Sequence, residues 1–298
     1  KEFSLLNHKP ALFVLFFTEM WERFSYYGMR AIFVLFLTAS FDDGGWEWTR
    51  ERALGLLGIY TSSVYLTPLI GGIIADKLLG YQKAVLYGAL IIMLGHFTLA
   101  IPLQETFILG LAFVAIGTGL LKPNISSIVG QLYTDQDEKR DSGFTIFYMS
   151  INIGSMLGFA VCGYLGERIG WHWGFGAAGA GMLLGVVQYT RTREWLGDAG
   201  REPNDMPQAR RSALARWASI VGVAAAVLVI LFGTGVIDVK ASVFAENFAY
   251  FLTTIAGMYF LYLYAFAGLD AAERKNVLLL FLLFVAAAAF WSGFDQSG

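Results

Sequence analysis

A single cysteine, Cys162, stands in 298 residues, which excludes an intrachain disulfide and any cysteine-based metal site. Histidine is nearly as scarce. His8, His96 and His172 lie far apart and no HExxH run occurs, so no metal site is expected. Charged residues make up 15% of the chain, against about 25% in ordinary soluble domains. The formal net charge is −2, and no basic face points to nucleic acid. What is present in quantity is apolar: 56% hydrophobic and 16% aromatic residues, gathered into long runs. These features specify an all-α polytopic membrane protein with the lipid bilayer as its surroundings.

Apolar segments run over 11–40, 53–76, 82–102, 106–131, 143–166, 172–191, 214–235, 244–268 and 276–297. With the N-terminus in the cytoplasm, most of the 21 Lys and Arg fall in inside segments, and only Arg50, Arg52, Arg168 and Lys240 fall outside. The positive-inside rule therefore selects a cytoplasmic N-terminus. The polar stretch 192–213, with Pro203 and Pro207, reads as a linker between a six-helix bundle over 1–191 and an additional helix pair over 214–268, followed by a further span in 269–298. Spans 1–3 and 4–6 share no close sequence repeat, yet transporter repeats are often weak in sequence and structural repetition stays open. The chain begins Lys-Glu-Phe-Ser, which does not read as a signal peptide, and stops at Gly298 just after an apolar run. The expectation is a fragment without its second half.

The first span carries ionisable groups where lipid disfavours them. At about 100° per residue, Glu19, Glu22, Arg23, Tyr26 and Arg30 share one helical face. Each unpaired charge at mid-membrane costs about 2.5–3.5 kcal/mol, so four would cost roughly 10–14 kcal/mol. The stripe must face protein or a water-filled path. A buried Glu beside a cation that can come and go is suited to bind and release a proton. The alternative is a static structural ion-pair network.

Lys122, in Gly-Leu-Leu-Lys-Pro-Asn, lies well inside the fourth span with Thr118 and Ser126 on its face. It reads either as a mobile cation paired with Glu19 or Glu22, or as a lysine snorkelling to the interface. Pro123 beside it removes a backbone donor. In the fifth span Tyr148, Asn152 and Ser155 share a face, fit either to line a cavity or to hydrogen-bond between helices. Thr61, Ser62 and Tyr65 offer a comparable face in the second span, with ordinary packing of Tyr65 as the alternative. Asp76, Gly80 and Lys83 suggest a turn with a charge clamp or simply a solvated turn. Asp295 is a further carboxylate at the end of the last span, a gate partner for Arg30 or an exposed acid.

Taken together these segments resemble the proton-dependent oligopeptide transporter (POT) family of the major facilitator superfamily. Glu19-x-x-Glu22-Arg23-Phe24-x-Tyr26-Tyr27-Gly28 matches that family's ExxERFxYYG motif. Phe147-Tyr148-x-x-Ile151-Asn152-x-Gly154-Ser155 matches its second signature, and Lys122-Pro123-Asn124 and Phe294-Asp295-Gln296 fit as well. The resemblance spans nearly the whole chain. It implies twelve core helices, of which 276–297 is transmembrane helix 7, with the preceding pair an insertion typical of prokaryotic members. It implies import of di- and tripeptides with protons by alternating access, in the bacterial inner (plasma) membrane, by a monomer with no cofactor other than the coupling proton. Glu19, Glu22, Arg23 and Lys122 take the proton-coupling role. Arg23, Arg30 and Lys122 with Tyr26, Tyr65, Tyr148 and Asn152 bind the substrate, and Arg30 with Asp295 forms a gate. Two departures stand out. Gly58 occupies the place where some members have a histidine, and the acid expected for the peptide's amino end lies in a C-terminal half this chain lacks, so the chain alone is not expected to transport.

Three rival readings remain. A carrier of nitrate or another small anion belongs to the same family. An intramembrane enzyme needs a metal triad or nucleophile–base pair that the sequence does not offer. A non-transporting receptor accounts for the helices and leaves the intramembrane charges unexplained.

Overall fold

The computed structural model describes residues 8–133, 138–201, 212–213, 216 and 241–296. The described residues hold eight long α-helices and no strand: α1 (Pro10–Thr38), α2 (Arg50–Ile74), α3 (Tyr81–Leu99), α4 (Gln104–Gln131), α5 (Arg140–Arg168), α6 (Trp171–Thr192), α7 (Ala241–Phe266) and α8 (Ala271–Gln296). The expected span 214–235, Arg216 apart, and residues 202–211 of the linker lie outside the described residues. The chain divides into two compact units, Lys1–Ala241 with α1–α6 and Ser242–Gly298 with α7 and α8.

Local chemistry sets the helix ends. Pro10 opens α1, where its missing N–H costs nothing and its fixed φ suits a first turn. The Thr49 hydroxyl accepts from the Arg52 amide at the start of α2, supplying one partner that a helix N-terminus lacks. The 29 residues of α1 reach about 43 Å at 1.5 Å per residue, more than the ~30 Å hydrocarbon core. Arg50–Leu79, α3, α4 and α5 are each long and apolar enough to cross a membrane. α1 is as long as α5, but carries Glu19, Glu22, Arg23 and Arg30 in its length.

Within the first unit α1 packs on α5 and α6, α4 packs on α2 and α3, and α3 meets α6. Exchanging α1–α3 with α4–α6 turns α1·α5 into α4·α2 and α1·α6 into α4·α3, while α5 packs on α6 and α2 and α3 scarcely meet. The two triplets thus share part of one packing scheme that the sequence does not display. Small residues make the closest of these contacts. Gly88 and Gly95 of α3 face Gly117 and Gly110 of α4, and a Cβ at any of the four would stand 2.7–2.9 Å from the facing glycine's carbonyl oxygen. Lipid leaves little hydrophobic drive between helices, so such close backbone approach supplies the attraction.

Each end of the bundle is tied differently. Where α1 finishes, Phe36 meets Trp46, Phe107 and Phe175 at ring-centroid distances of 4.8, 5.4 and 5.4 Å, pairs worth about 0.5–1.5 kcal/mol each beyond their buried area. Where α1 begins, His8 Nδ1 lies 2.8 Å from the Tyr133 hydroxyl, and Lys9 Nζ donates to the Leu132 carbonyl at 2.9 Å. On the same side the segment after α6 is strapped down. The Gln82 side chain donates to the Gly197 and Ala199 carbonyls, and the Gly200 amide donates to Gln131 Oε1. The turn after α2 is a π-helical stretch, Ala75–Leu79. Its expected charge clamp does not form: Asp76 meets the Tyr81 hydroxyl and makes no ion pair with Lys83 among the described residues.

Candidate functional site

α1 carries its ionisable stripe inward. Glu19, Glu22 and Arg23 are 3%, 0% and 4% exposed. Arg23 Nε lies 3.1 Å from Glu19 Oε1 and also bonds Glu22 Oε2. One guanidinium thus bridges two carboxylates, leaving the trio at net −1 when all are ionised. The local sequence explains the geometry. Glu19 and Arg23 are one helical turn apart and Glu22 flanks them, so neighbours on one face meet without distortion of the helix. Behind them α5 must come close. A Cβ at Gly154 would stand 3.0 Å from Arg23 Cβ, which gives the glycine of the second signature its physical reason.

Tyr26 is buried under this trio, with Arg23 Cζ 5.2 Å from its ring centroid. Its ring in turn stacks on Tyr60 of α2 at 6.3 Å and 28°. Arg30 follows on the same helix, half-buried. Lys122 enters from α4, half-buried, its Nζ 5.5 Å from the centroid of Tyr65. It makes no ion pair within 4.0 Å of the described residues, so the expected Lys122–carboxylate contact is replaced by a separation. Both Glu19 and Glu22 nevertheless lie within electrostatic range of Lys122. Arg23, one turn or less from each acid, bonds one oxygen of each carboxylate and already supplies the nearest counter-charge.

α4 stays helical through Pro123. The proline leaves the Gly119 carbonyl without its helical donor, and that carbonyl sits against Gly71 of α2. The Asn124 side chain bonds the Leu120 carbonyl at 2.6 Å and reaches the Gly71 carbonyl at 3.4 Å. The two helices are therefore held together beside Lys122 rather than loosened there.

The residues expected to line a cavity divide into two groups. Tyr26 is buried, whereas Tyr65 and Tyr148 are 66% and 55% exposed, and Asn152 is exposed too. Tyr148 touches Phe144 and Phe147, and Ser155 bonds back to the Asn152 carbonyl on its own helix. Neither Tyr148 nor Asn152 makes an interhelical side-chain hydrogen bond among the described residues. The outcome is an open face of the first unit that presents Lys122 and Tyr65 together, with Tyr148 and Asn152 exposed on α5. Asp295 lies in α8, but its side chain is outside the described residues. No cluster of three metal-ligating groups occurs among the described residues.

Tyr60 was not among the expected site residues. It is 3% exposed and stacks on Phe33 as well as Tyr26. One signal could have found it: Ala53, Tyr60 and Thr67 recur every seven residues along α2, marking its inner face.

Residues 82–298 match the POT family. The peptide transporter YePEPT of Yersinia enterocolitica is 38% identical, over 98% of this chain and 59% of its own length. A di-/tripeptide transporter of Lactococcus lactis is 36% identical, over 99% of this chain and 61% of its own. Among solved structures, a peptide transporter POT in complex with sulfate superposes with a TM-score of 0.86 at 42% identity, covering 99% of this chain and 60% of that one. The chain thus spans about three fifths of the length of these relatives. It has the all-α, major facilitator type of membrane fold that the sequence motifs implied. The match runs from the start of α3 through α8, and by it this integral membrane protein belongs to the POT family.

Proposed function

We propose that this chain forms the proton-handling part of a proton-coupled symporter that imports di- and tripeptides by alternating access. The observation that carries the reading is the sealed Glu19–Arg23–Glu22 trio with Lys122 facing it from another helix. With all four groups ionised their charges cancel. A proton on either acid leaves a net positive charge, and the attraction that draws Lys122 towards α1 weakens. α1 and α4 touch each other only over a short stretch, so little packing opposes their separation. A proton can drive such a change only by favouring one conformation over the other, which loss of this attraction does.

On this reading Glu19, Glu22, Arg23 and Lys122 couple the proton, which is the only cofactor-like species. Arg23, Arg30 and Lys122 give the cavity its cationic side, where a peptide's carboxylate binds. Tyr26, Tyr65, Tyr148 and Asn152 line it, and Arg30 with Asp295 gates it. The protein is a monomer in the bacterial inner membrane, its N-terminus in the cytoplasm. It is a carrier rather than an enzyme. Peptide, rather than nitrate, is favoured by the names of the similar proteins and by the intact ExxER run. One pH unit supplies about 1.4 kcal/mol and 100 mV about 2.3 kcal/mol, enough for one proton to accumulate substrate several hundredfold.

The test uses the full-length protein in proteoliposomes with dialanine and an acid exterior. Wild type accumulates dialanine, while Glu22→Gln loses accumulation and keeps exchange of internal for external dialanine, and Lys122→Ala loses accumulation. Wild-type accumulation by both variants overturns the coupling scheme. Proton-driven uptake of nitrate with none of dialanine transfers the reading to an anion carrier.

A further inference from the structure

Four polar atoms around the trio are buried without a hydrogen-bond partner among the described residues: Glu19 Oε2, Glu22 Oε1, Arg23 Nη2 and the Tyr60 hydroxyl. All four belong to side chains no more than 4% exposed. Buried polar groups are nearly always bonded, and where protein offers no partner an internal water supplies two to four bonds. Three of the atoms sit on neighbouring positions of α1. The fourth comes from α2, and Tyr60 lies within electrostatic range of Glu22, Arg23, Tyr26 and Arg30. Stacking on Tyr26 at 6.3 Å and on Phe33 at 6.2 Å fixes the ring and so aims the hydroxyl. Nothing in the packing requires that hydroxyl. A phenylalanine ring would fill the same space without the hydroxyl.

We propose that the Tyr60 hydroxyl closes an internal hydration site on the unbonded faces of Glu22 and Arg23, and that water held there delivers the coupling proton to Glu22. Tyr60 is a positioning residue in this scheme. A hydronium arriving at the site transfers one proton to Glu22 Oε1: an O–H bond of the hydronium breaks, a carboxyl O–H forms, neutral water remains, and Tyr60 keeps its own proton. The charged and titratable groups that bear on the step are Glu19, Arg23, Tyr26, Tyr27 and Arg30 on α1, Tyr60 and Tyr65 on α2 and Lys122 on α4. α5 presents Gly154 to this region, and α6 presents Met182, whose sulfur meets the Ser25 hydroxyl at 3.9 Å. Neither of these titrates. The inference rests on the proton-coupled reading above and adds to it a residue outside the ExxER run.

Tyr60→Phe in the full-length protein tests it, with two readouts. In proteoliposomes the variant should keep dialanine exchange near the wild-type level. Its proton-driven accumulation should fall roughly fivefold, the worth of one ordinary hydrogen bond, and its pH profile should move. In infrared difference spectra recorded on acidification, the protonated-carboxyl band that Glu22→Gln abolishes should shift in frequency in Tyr60→Phe, because that carboxyl has lost a bonded neighbour. An unchanged pH profile with an unmoved band overturns the proposal, as does loss of exchange together with accumulation, which would make Tyr60 structural. If wild type neither accumulates nor exchanges dialanine, the peptide reading fails, and the infrared band still decides whether Tyr60 and Glu22 share a hydration site.

Discussion

The seam between α3 and α4 and the face shared by α1, α2 and α4 are built on opposite plans. Along the seam, glycine meets glycine at two levels seven residues apart, with no room for a methyl group. Across the face, α1 and α4 barely touch, and the groups that matter are charges separated by more than contact distance. The seam gains its attraction from backbone proximity, which falls away sharply with distance. The face works through charge, which acts across a gap and changes with one proton. A bundle that must move as a body needs the first plan inside each group of helices and the second between those that part.

The largest effect that would test this contrast is on stability. Arg23→Leu leaves two buried carboxylates without their cation and should cost about 3–5 kcal/mol, read as a fall in thermal unfolding temperature in detergent. Replacing the trio together, with Glu19→Gln, Glu22→Gln and Arg23→Leu, should recover most of that loss, because neutral side chains carry no uncompensated charge, while proton-driven uptake stays absent. A triple variant as unstable as Arg23→Leu would show that the trio shapes the fold and is more than a charge device.

Gly88→Val comes next. Its added carbons would meet the Gly117 carbonyl at 2.7 Å and the Leu121 amide nitrogen at 2.8 Å, and overpacking of this kind costs about 1–3 kcal/mol. Lys122→Ala should change the unfolding temperature little, since Lys122 makes no ion pair with the described residues, although it removes coupling. A destabilisation equal to that of Gly88→Val would place Lys122 on the structural side of the comparison. The smallest effect is expected at Gly163 of α5, where an added Cβ meets nothing within 4 Å. Gly163→Ala should leave stability unchanged or raise it by up to about 1 kcal/mol through helix propensity, and a clear loss there would mean that an unseen surface packs on that side of α5.

Much of the architecture was legible before any coordinates. The starts and ends of α1–α6 fall within a few residues of the apolar runs, because a bilayer forces each run to satisfy its own backbone hydrogen bonds as a helix. The inward stripe of α1 was legible for a related reason: charges on one face inside an apolar helix must turn from lipid. The π-helical end of α2, the Gln82 strap and the His8–Tyr133 contact were not legible. Each joins residues distant in sequence or depends on small changes in helical winding, and neither leaves a periodic mark. Tyr60 escaped for another reason. Spacing along α2 can place one of the 47 Phe, Tyr and Trp in the chain on an inner face, but nothing marks its hydroxyl until that group is seen to be buried beside an ion trio.

The sequence by itself determined that these segments are membrane helices, which way α1 turns its charges, and which residue types stand ready to hold a proton, since hydropathy and helical periodicity act locally and leave few alternatives. Only the tertiary structure decided that Arg23 joins both acids while Lys122 stands off, that α1 packs on α5 and α6 as α4 packs on α2 and α3, and that Tyr60 belongs with the trio. Those outcomes depend on which helix packs against which, and at what distance, and in a bilayer that is settled by close side-chain and backbone fit that no single helix encodes.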